Sequence, residues 1–451
     1  MRITPLEQWI ASKCGAGFPA CRQEAAGSRE TGGARLTREA IHSYQLRKLR
    51  ETIAWARARG PFYREHLAGI PEGAPARLED LSRLPFTTPD DIREAPLRFL
   101  CVSQGEIDRV VTLQTSGTTG NPKRVFFTRE DQELTIDFFH HGMTTLSDPG
   151  DRVLILLPGE RPGSVGDLLA LGLERAGVAG IRHGFVENAA RAVSVMEKEG
   201  INTLVGLPVH VLGLAEAGGT YSPGNVLLSA DYVPDSLSRR LVSKWNCGVY
   251  THYGMTEMGY GGGVECDARS GYHLREADLY FEIVAPQTGE PVRPGEWGEI
   301  VFTTLTRGGM PLIRYRTGDI SRFVPEPCQC GTVLKTMARI RRRADGDIAL
   351  ANGLVLNMAD VDEALFAIEG LLDFTAVIGA GGHGDCLQIR VRTSETAAGG
   401  VERAVLDALD TIPAVLSARR LGVLDVGADV DPGVGRPVGS AAKRAIIDGR
   451  S

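Results

Sequence analysis

No run of eighteen apolar residues occurs in this chain, and its first residues lack the apolar core of a secretory leader. A helical membrane span and a membrane partner are therefore not expected, and a cytoplasmic location is. Basic excess is missing too: 50 Lys and Arg stand against 56 Asp and Glu, a net charge of −6. With no basic stripe interleaved with aromatics, nucleic acid is not an expected partner. Internal repeats are absent, so no solenoid array is expected. In a reducing compartment the eight cysteines are expected as thiols or metal ligands, not as disulfides. What remains is the composition of an ordinary globular protein, 43% hydrophobic and 24% charged. At 451 residues it is too long for one core, and two or more domains are expected.

Between two apolar β-like runs, residues 112–128 crowd Ser and Thr hydroxyls, two glycines and a lysine into one loop. Glycine lets backbone N–H groups approach an anion closely, hydroxyls add donors, and lysine brings charge. Thr115, Ser116, Gly117, Thr118, Thr119, Gly120 and Lys123 are therefore the candidate polyphosphate grip, set against an ordinary polar turn. The P-loop of nucleotide hydrolases is excluded. It needs Lys directly after its second glycine and then Ser or Thr, whereas Asn121-Pro122 precedes Lys123 and Arg124 follows it.

Along the chain, residues 1–35 are Gly- and Ala-rich without a clear period and read as an extension or loosely attached arm. From Leu36 to about Ala68 the apolar spacing is helical. Between Asp151 and Glu257, apolar runs at Arg152–Pro158, Gly180–Val186, Ile201–Leu207 and Asn225–Ala230 alternate with helical stretches at Val165–Ala176, Ala189–Glu199, Val209–Ala217 and Pro234–Asn246. That alternation predicts βαβ units and a parallel sheet covered on both faces. Ala277–Phe323 is strand-rich, and after about Ala344 a smaller unit follows, with strands at Phe374–Gly379 and Leu387–Val391 and a helix near Val401–Leu409. The expected fold is α/β: a large N-terminal domain (36–343) with parallel sheets, helices and a strand-rich subdomain, then a small α+β C-terminal domain (344–451).

Thr115-Ser116-Gly117-Thr118-Thr119-Gly120-x-Pro122-Lys123 resembles, in order and spacing, the signature loop of the adenylate-forming superfamily of acyl-CoA synthetases, peptide-synthetase adenylation domains and luciferases. Tyr253-Gly254-Met255-Thr256-Glu257 is similar to that superfamily's Tyr-Gly-x-Thr-Glu element, whose glutamate is implied to hold the Mg²⁺ that accompanies ATP. Ser229, Ala230 and Asp231 occupy the place where relatives line the adenine pocket with backbone. Tyr315-Arg316-Thr317-Gly318-Asp319 resembles the segment whose aspartate accepts both ribose hydroxyls, since a carboxylate offers the paired acceptors a diol needs. Arg343 matches the arginine at the joint of the two domains, and Arg341 and Arg342 read more as a solvated charge run than as site residues.

Pro61-Phe62-Tyr63-Arg64, the stretch Leu78–Thr88 and Gly298–Thr306 further resemble phenylacetate–CoA ligases, over about residues 40–346. The resemblance implies ATP and AMP, Mg²⁺ and CoA as ligands, a small carboxylic acid as substrate, a mobile C-terminal domain and, as in many relatives, a homodimer. His210, Tyr232, Tyr253, Met258 and Tyr260 are candidates for the acyl pocket, and Gly261–Gly263 reads as backbone approaching the substrate or as a flexible loop. Cys266, His273, Cys328 and Cys330 have the count for a closed Cys₃His zinc site, structural and not catalytic. Their Cys-x-Cys spacing is tighter than usual, so unrelated thiols and a surface histidine remain the alternative on spacing alone; similarly placed cysteines in phenylacetate–CoA ligase-like proteins favour zinc. Two departures stand out. Ala351-Asn352-Gly353 lies where relatives carry Arg-Gly, and Gly439-Ser440 replaces the Gly-Lys that supplies their catalytic lysine, leaving Lys443 as the candidate. The expected activity is an AMP-forming carboxylate–CoA ligase. The alternatives are an acyl–protein or acyl–carrier synthetase and an adenylate-binding protein that has lost catalysis.

Overall fold

Short apolar runs that cannot close a hairpin between them fold as parallel strands joined by helical crossovers. In the computed structural model, which describes residues 4–15, 36–113, 121–344, 346–394, 400–430 and 444–450, these strands are Arg152–Leu156, Ala179–Arg182, Thr203–Gly206, Asn225–Leu228 and Gly248–Tyr253. Across the sheet the order is 248, 225, 203, 152, 179 by first residue, with every neighbouring pair parallel. Helices Val165–Arg175, Ala189–Glu199, Pro208–Glu216 and Asp235–Trp245 make the returns. The helix Ala189–Glu199 shows the local logic: Asn188 accepts from the Arg191 N–H at its start, and Gly200 closes it in the left-handed region at φ 61°. The strands end one to four residues before the apolar runs do. Those last residues leave the sheet as loops at the strands' C-terminal ends, where open α/β sheets bind ligands.

The chain divides into two units. Leu146–Tyr253, Gly318–Ile320 and Ile340–Ser451 form one, which holds this parallel sheet. Within it, Leu371–Ala380 and Asp385–Thr393 pair antiparallel, flanked by Leu424–Val430 and Ile447–Asp448, both parallel to their neighbours. Helices Met358–Leu365, Val401–Leu409 and Pro413–Arg420 accompany them. Leu204, Leu228 and Leu237 share one continuous apolar core with Leu365, Phe374 and Ile389.

Met1–Thr145, Gly254–Thr317 and Ser321–Arg339 form the other unit. Its antiparallel strands include the pair Leu279–Val284 and Gly298–Thr304 and the run Phe323–Val324, Thr336–Met337, Tyr272–Leu274, Gly263–Glu265, in that spatial order. The long N-terminal helix runs Arg38–Arg59 and stops; a second begins at Pro61, whose missing N–H and restriction of Gly60 break the pattern that reads as continuous to Ala68. Helix Arg129–Met143 starts at a capping box formed by Thr128 and Asp131. Residues Pro5–Gly15, read from sequence as part of a loose arm, form a helix that buries Leu6, Trp9, Ile10 and Cys14. Its Trp9 Nε1 donates to Asp137 at 2.8 Å. No helix among the described residues is long and apolar enough to cross a membrane.

Candidate active site

Antiparallel pairing sets Lys123 opposite Leu113 at the first position of the strand Lys123–Phe127, where the phosphate-grip loop ends. Its Nζ is ion-paired with Glu257 and donates to Tyr315 Oη at 3.0 Å, and Tyr315 Oη donates to Glu257 Oε1 at 3.2 Å. Glu257 sits in the one-turn helix Thr256–Met258 with its side chain 2% exposed. Burial pushes its carboxyl up, but Lys123 and the hydrogen bonds to the charged form outweigh burial, and the group lies below the usual carboxylate range. An ionised carboxylate and an ammonium are thus held together out of water. A nucleotide would separate them, the lysine going to phosphate oxygens and the carboxylate to a hard cation. Thr115, Ser116, Gly117, Thr118, Thr119 and Gly120 lie outside the described residues.

Asp319 is held from two sides within its own unit. Tyr253 Oη donates to its Oδ2 at 3.0 Å, and Arg343 Nη1 to its Oδ1 at 2.9 Å, with Asp319 and Arg343 opposite each other across two strands. A carboxylate so oriented is the acceptor type that a diol's paired hydroxyls match. Ser229, Ala230 and Asp231 follow the strand Asn225–Leu228 directly. Ala230 is in the left-handed region at φ 70°, a strained setting for a residue with a Cβ. Ser229 Oγ lies 2.9 Å from His252 Nδ1. Gly254 lies in the connection after the strand Gly248–Tyr253, and Thr256 opens the one-turn helix that carries Glu257. Lys443 lies outside the described residues; the next residue, Arg444, is described and buried.

Two of the acyl-pocket candidates have other partners. Tyr253 donates to Asp319, and Tyr232 donates to Glu363 at 3.0 Å. Glu363 also accepts the Asp235 and Ser236 N–H groups at the start of helix Asp235–Trp245, where a carboxylate is favoured. The glycines beyond Tyr260 serve packing: a Cβ on Gly261 would meet the Phe138 ring at 2.2 Å, and one on Gly263 the His273 carbonyl at 2.9 Å. Tyr315 emerges as a site residue that the motif contained but to which no role had been attached.

Cys266, His273, Cys328 and Cys330 converge, with ligand atoms all within 4.8 Å of one another. Cys266 follows the strand Gly263–Glu265, His273 lies on Tyr272–Leu274, and the two remaining cysteines sit in the turn before Thr336–Met337. Sγ–Sγ from Cys266 to Cys328 is 3.7 Å, and Cys330 Sγ to His273 Nε2 is 3.3 Å. A tetrahedral ion with ordinary Zn–S and Zn–N bonds needs ligand–ligand edges of roughly 3.5–3.8 Å. His273 Nδ1 lies 3.3 Å from Thr336 Oγ1, a hydroxyl placed to orient the ring with Nε2 toward the thiols. No disulfide joins the described cysteines.

The family described as AMP-binding enzyme matches residues 84–306. Phenylacetate–coenzyme A ligase of Thermus thermophilus is 30% identical over 381 residues, covering 80% of this chain and 83% of that protein. The Escherichia coli protein of the same name is 27% identical over 374 residues, covering 79% and 83%. Among solved structures, a 2-hydroxyisobutyryl-CoA ligase in complex with 2-HIB-AMP superposes with a TM-score of 0.78 at 22% identity, over 96% of this chain and 95% of that one. At that identity it shows a shared fold. The buried Lys123–Glu257 pair, the Asp319 carboxylate and these relatives lead to one conclusion: the chain belongs to the adenylate-forming, AMP-binding enzymes, on their phenylacetate–CoA ligase-like branch.

Proposed function

We propose that this enzyme is an AMP-forming carboxylate–CoA ligase, and the observation that carries the reading is the buried Lys123–Glu257–Tyr315 group at the end of the phosphate-grip loop. A carboxylate oxygen attacks the α-phosphorus of ATP, the bond to the bridging oxygen breaks, and pyrophosphate leaves. The CoA thiolate then attacks the acyl carbon and AMP departs. Lys123, with Thr115–Gly120, takes charge off the β,γ-phosphates, which is where charge accumulates as pyrophosphate leaves. Glu257 is the residue to hold Mg²⁺, which would neutralise and orient those phosphates. Asp319 accepts the ribose hydroxyls with Arg343 and Tyr253 fixing its orientation, and Ser229–Asp231 line the adenine. Lys443 shields the approaching anions in place of the lysine that Ser440 does not supply. Residues from about 344 onward act as the small domain.

The test is a screen of carboxylic acids for pyrophosphate release, with and without CoA. CoA-dependent turnover is the expected result. Adenylate accumulation indifferent to CoA would favour an acyl–protein synthetase, the second reading that the Gly439-Ser440 departure supports. ATP binding without turnover on any acid would leave neither.

The Cys266–His273–Cys328–Cys330 cluster fits zinc by donor type and by the convergence of its four ligand atoms, and we assign it a structural role, stapling the strand-rich segment to the turn after Glu257. One zinc per chain is expected on metal analysis of undenatured protein. Cys330→Ser should lose the metal and melt roughly 5–15 °C lower, since the binding energy of a structural site is folding energy. Substoichiometric zinc in the parent, or a Cys330→Ser protein that melts like it, removes the assignment. A cytoplasmic setting, where thiols stay reduced, belongs to the same proposal. A homodimer, as in many relatives, belongs to the same proposal.

A further inference from the structure

Arg307 is a buried cation in the loop between the strands Gly298–Thr304 and Tyr315–Ser321, 7% exposed. No carboxylate among the described residues lies within ion-pair distance of it. Instead it spends its guanidinium on two main-chain carbonyls. Nη1 donates to the Glu257 carbonyl at 2.8 Å and Nη2 to the Phe126 carbonyl at 2.7 Å, and the guanidinium lies 4.3 Å over the Phe127 ring. Its Nε is buried with no partner. Burial pushes its pKa down, and the nearby Asp131 and Glu257 charges oppose that shift.

Burying a charge this way is costly, and neutral carbonyls recover less than a carboxylate would. What the arrangement supplies is rigidity. Phe126 is three residues on from Lys123 along one strand, and Glu257 is the other member of the ion pair. A planar fork that grips both carbonyls fixes the separation of the strand and the turn, which a lysine's single ammonium cannot do with the same geometry. The loop carrying Arg307 is itself pinned. Asp131 Oδ1 accepts the Gly308 N–H at 2.9 Å and its Oδ2 the Gly309 N–H at 3.2 Å. A Cβ on Gly309 would meet that carboxylate at 2.6 Å. Trp55 Nε1 donates to the Gly308 carbonyl at 3.0 Å. Asp131 opens the helix that follows the Lys123 strand, so the brace closes on itself.

We propose that Arg307 is a positioning residue for the phosphate and metal end of the site: it sets the distance at which Lys123 and Glu257 part to receive Mg²⁺ and the ATP phosphates. This rests on the reading of Glu257 as the Mg²⁺ residue. The readout is the factor by which Mg²⁺ tightens ATP binding, measured by calorimetry with Mg²⁺ and again with EDTA. Carboxylic acid is left out so that no turnover occurs. In Arg307→Lys that factor should fall about tenfold, as for loss of one charged hydrogen bond, while ATP affinity in EDTA stays within about twofold. A purely structural arginine would weaken both affinities together or neither. Glu257→Gln is run alongside. If it leaves the Mg²⁺ factor at the parental value, the reading of Glu257 fails and the role of Arg307 with it. If Glu257→Gln lowers the factor and a folded Arg307→Lys does not, only the role of Arg307 is overturned. An Arg307→Lys protein that cannot be folded overturns it equally, because the residue is then a fold requirement.

Discussion

Replacing Glu257 by Gln is expected to slow pyrophosphate formation by about 10²–10³-fold, the usual cost of removing one group that stabilises developing charge. The swap keeps shape and one hydrogen-bond acceptor but removes the charge. Two consequences follow from the geometry. A neutral amide is a poor ligand for a hard dication, so on the proposed reading Mg²⁺ and the phosphates would lose their anchor. Lys123, with its side chain 12% exposed, also loses the ionic partner that holds it ready. ATP binding measured without Mg²⁺ should be as tight or slightly tighter, because the lysine no longer has to leave a carboxylate. Thioester formation from added acyl adenylate and CoA should be near the parental rate, since no pyrophosphate leaves in that step. A Glu257→Gln enzyme within about threefold of the parent in pyrophosphate exchange would contradict the assignment.

The largest expected stability effect lies at Arg444. Its Nε donates to Asp362 Oδ1 at 3.0 Å, its Nη1 is ion-paired with Asp373, and its Nη2 donates to the Phe374 carbonyl at 3.3 Å. The guanidinium also lies 4.2 Å over the Phe374 ring. Side-chain exposures are 3% for the arginine, 1% for Asp362 and 6% for Asp373. Arg444→Met leaves two carboxylates in that interior without their counter-ion, a change that costs about 3–5 kcal/mol. The sign with pH is fixed by linkage. Burial already pushes Asp362 up against the pull of Arg444. Without the arginine the Asp362 carboxyl titrates still further above its unfolded value, so the native state binds more protons than the unfolded one and stability falls as pH rises. The deficit in denaturant unfolding should therefore be largest above about pH 7 and shrink toward about pH 4–5. Combining Arg444→Met with Asp362→Asn and Asp373→Asn should recover part of the loss at neutral pH. A single-variant deficit below about 1 kcal/mol at pH 7.5, or one that grows as pH falls, would show that the cluster is not acting as a buried ionic unit. Arg444 is covalently next to Lys443, so the same variant tests whether pyrophosphate exchange depends on where this segment is anchored.

The parallel sheet was readable because each run between Asp151 and Glu257 carries its own period, and one helix also its own caps, at Asn188 and Gly200. The helix Pro5–Gly15 was not read, although Leu6, Trp9, Ile10 and Cys14 recur at helical spacing. Eleven residues beside a Gly/Ala-rich stretch make a weak signal, and the partner that buries Trp9 lies 128 residues away at Asp137. The partners of Tyr232 and Tyr253 went unread for a related reason. An aromatic hydroxyl's partner, Glu363 or Asp319, is chosen by the fold and leaves no trace at local spacing.

By itself, the sequence determined the chemistry on offer. Glycines, hydroxyls and Lys123 in one loop, a glutamate after Tyr-Gly-x-Thr, an aspartate after Thr-Gly, and three thiols with one imidazole are local patterns, and local patterns survive without coordinates. Only the tertiary structure decided which charges meet. Lys123 faces Glu257 through Tyr315, Asp319 lies between Tyr253 and Arg343, and Cys266 comes within 3.7 Å of Cys328 across 62 residues of chain. It alone disclosed Arg307 and Arg444. Each is one basic residue among fifty in the sequence, distinguished only by burial, and burial is a property of what the rest of the chain packs around it.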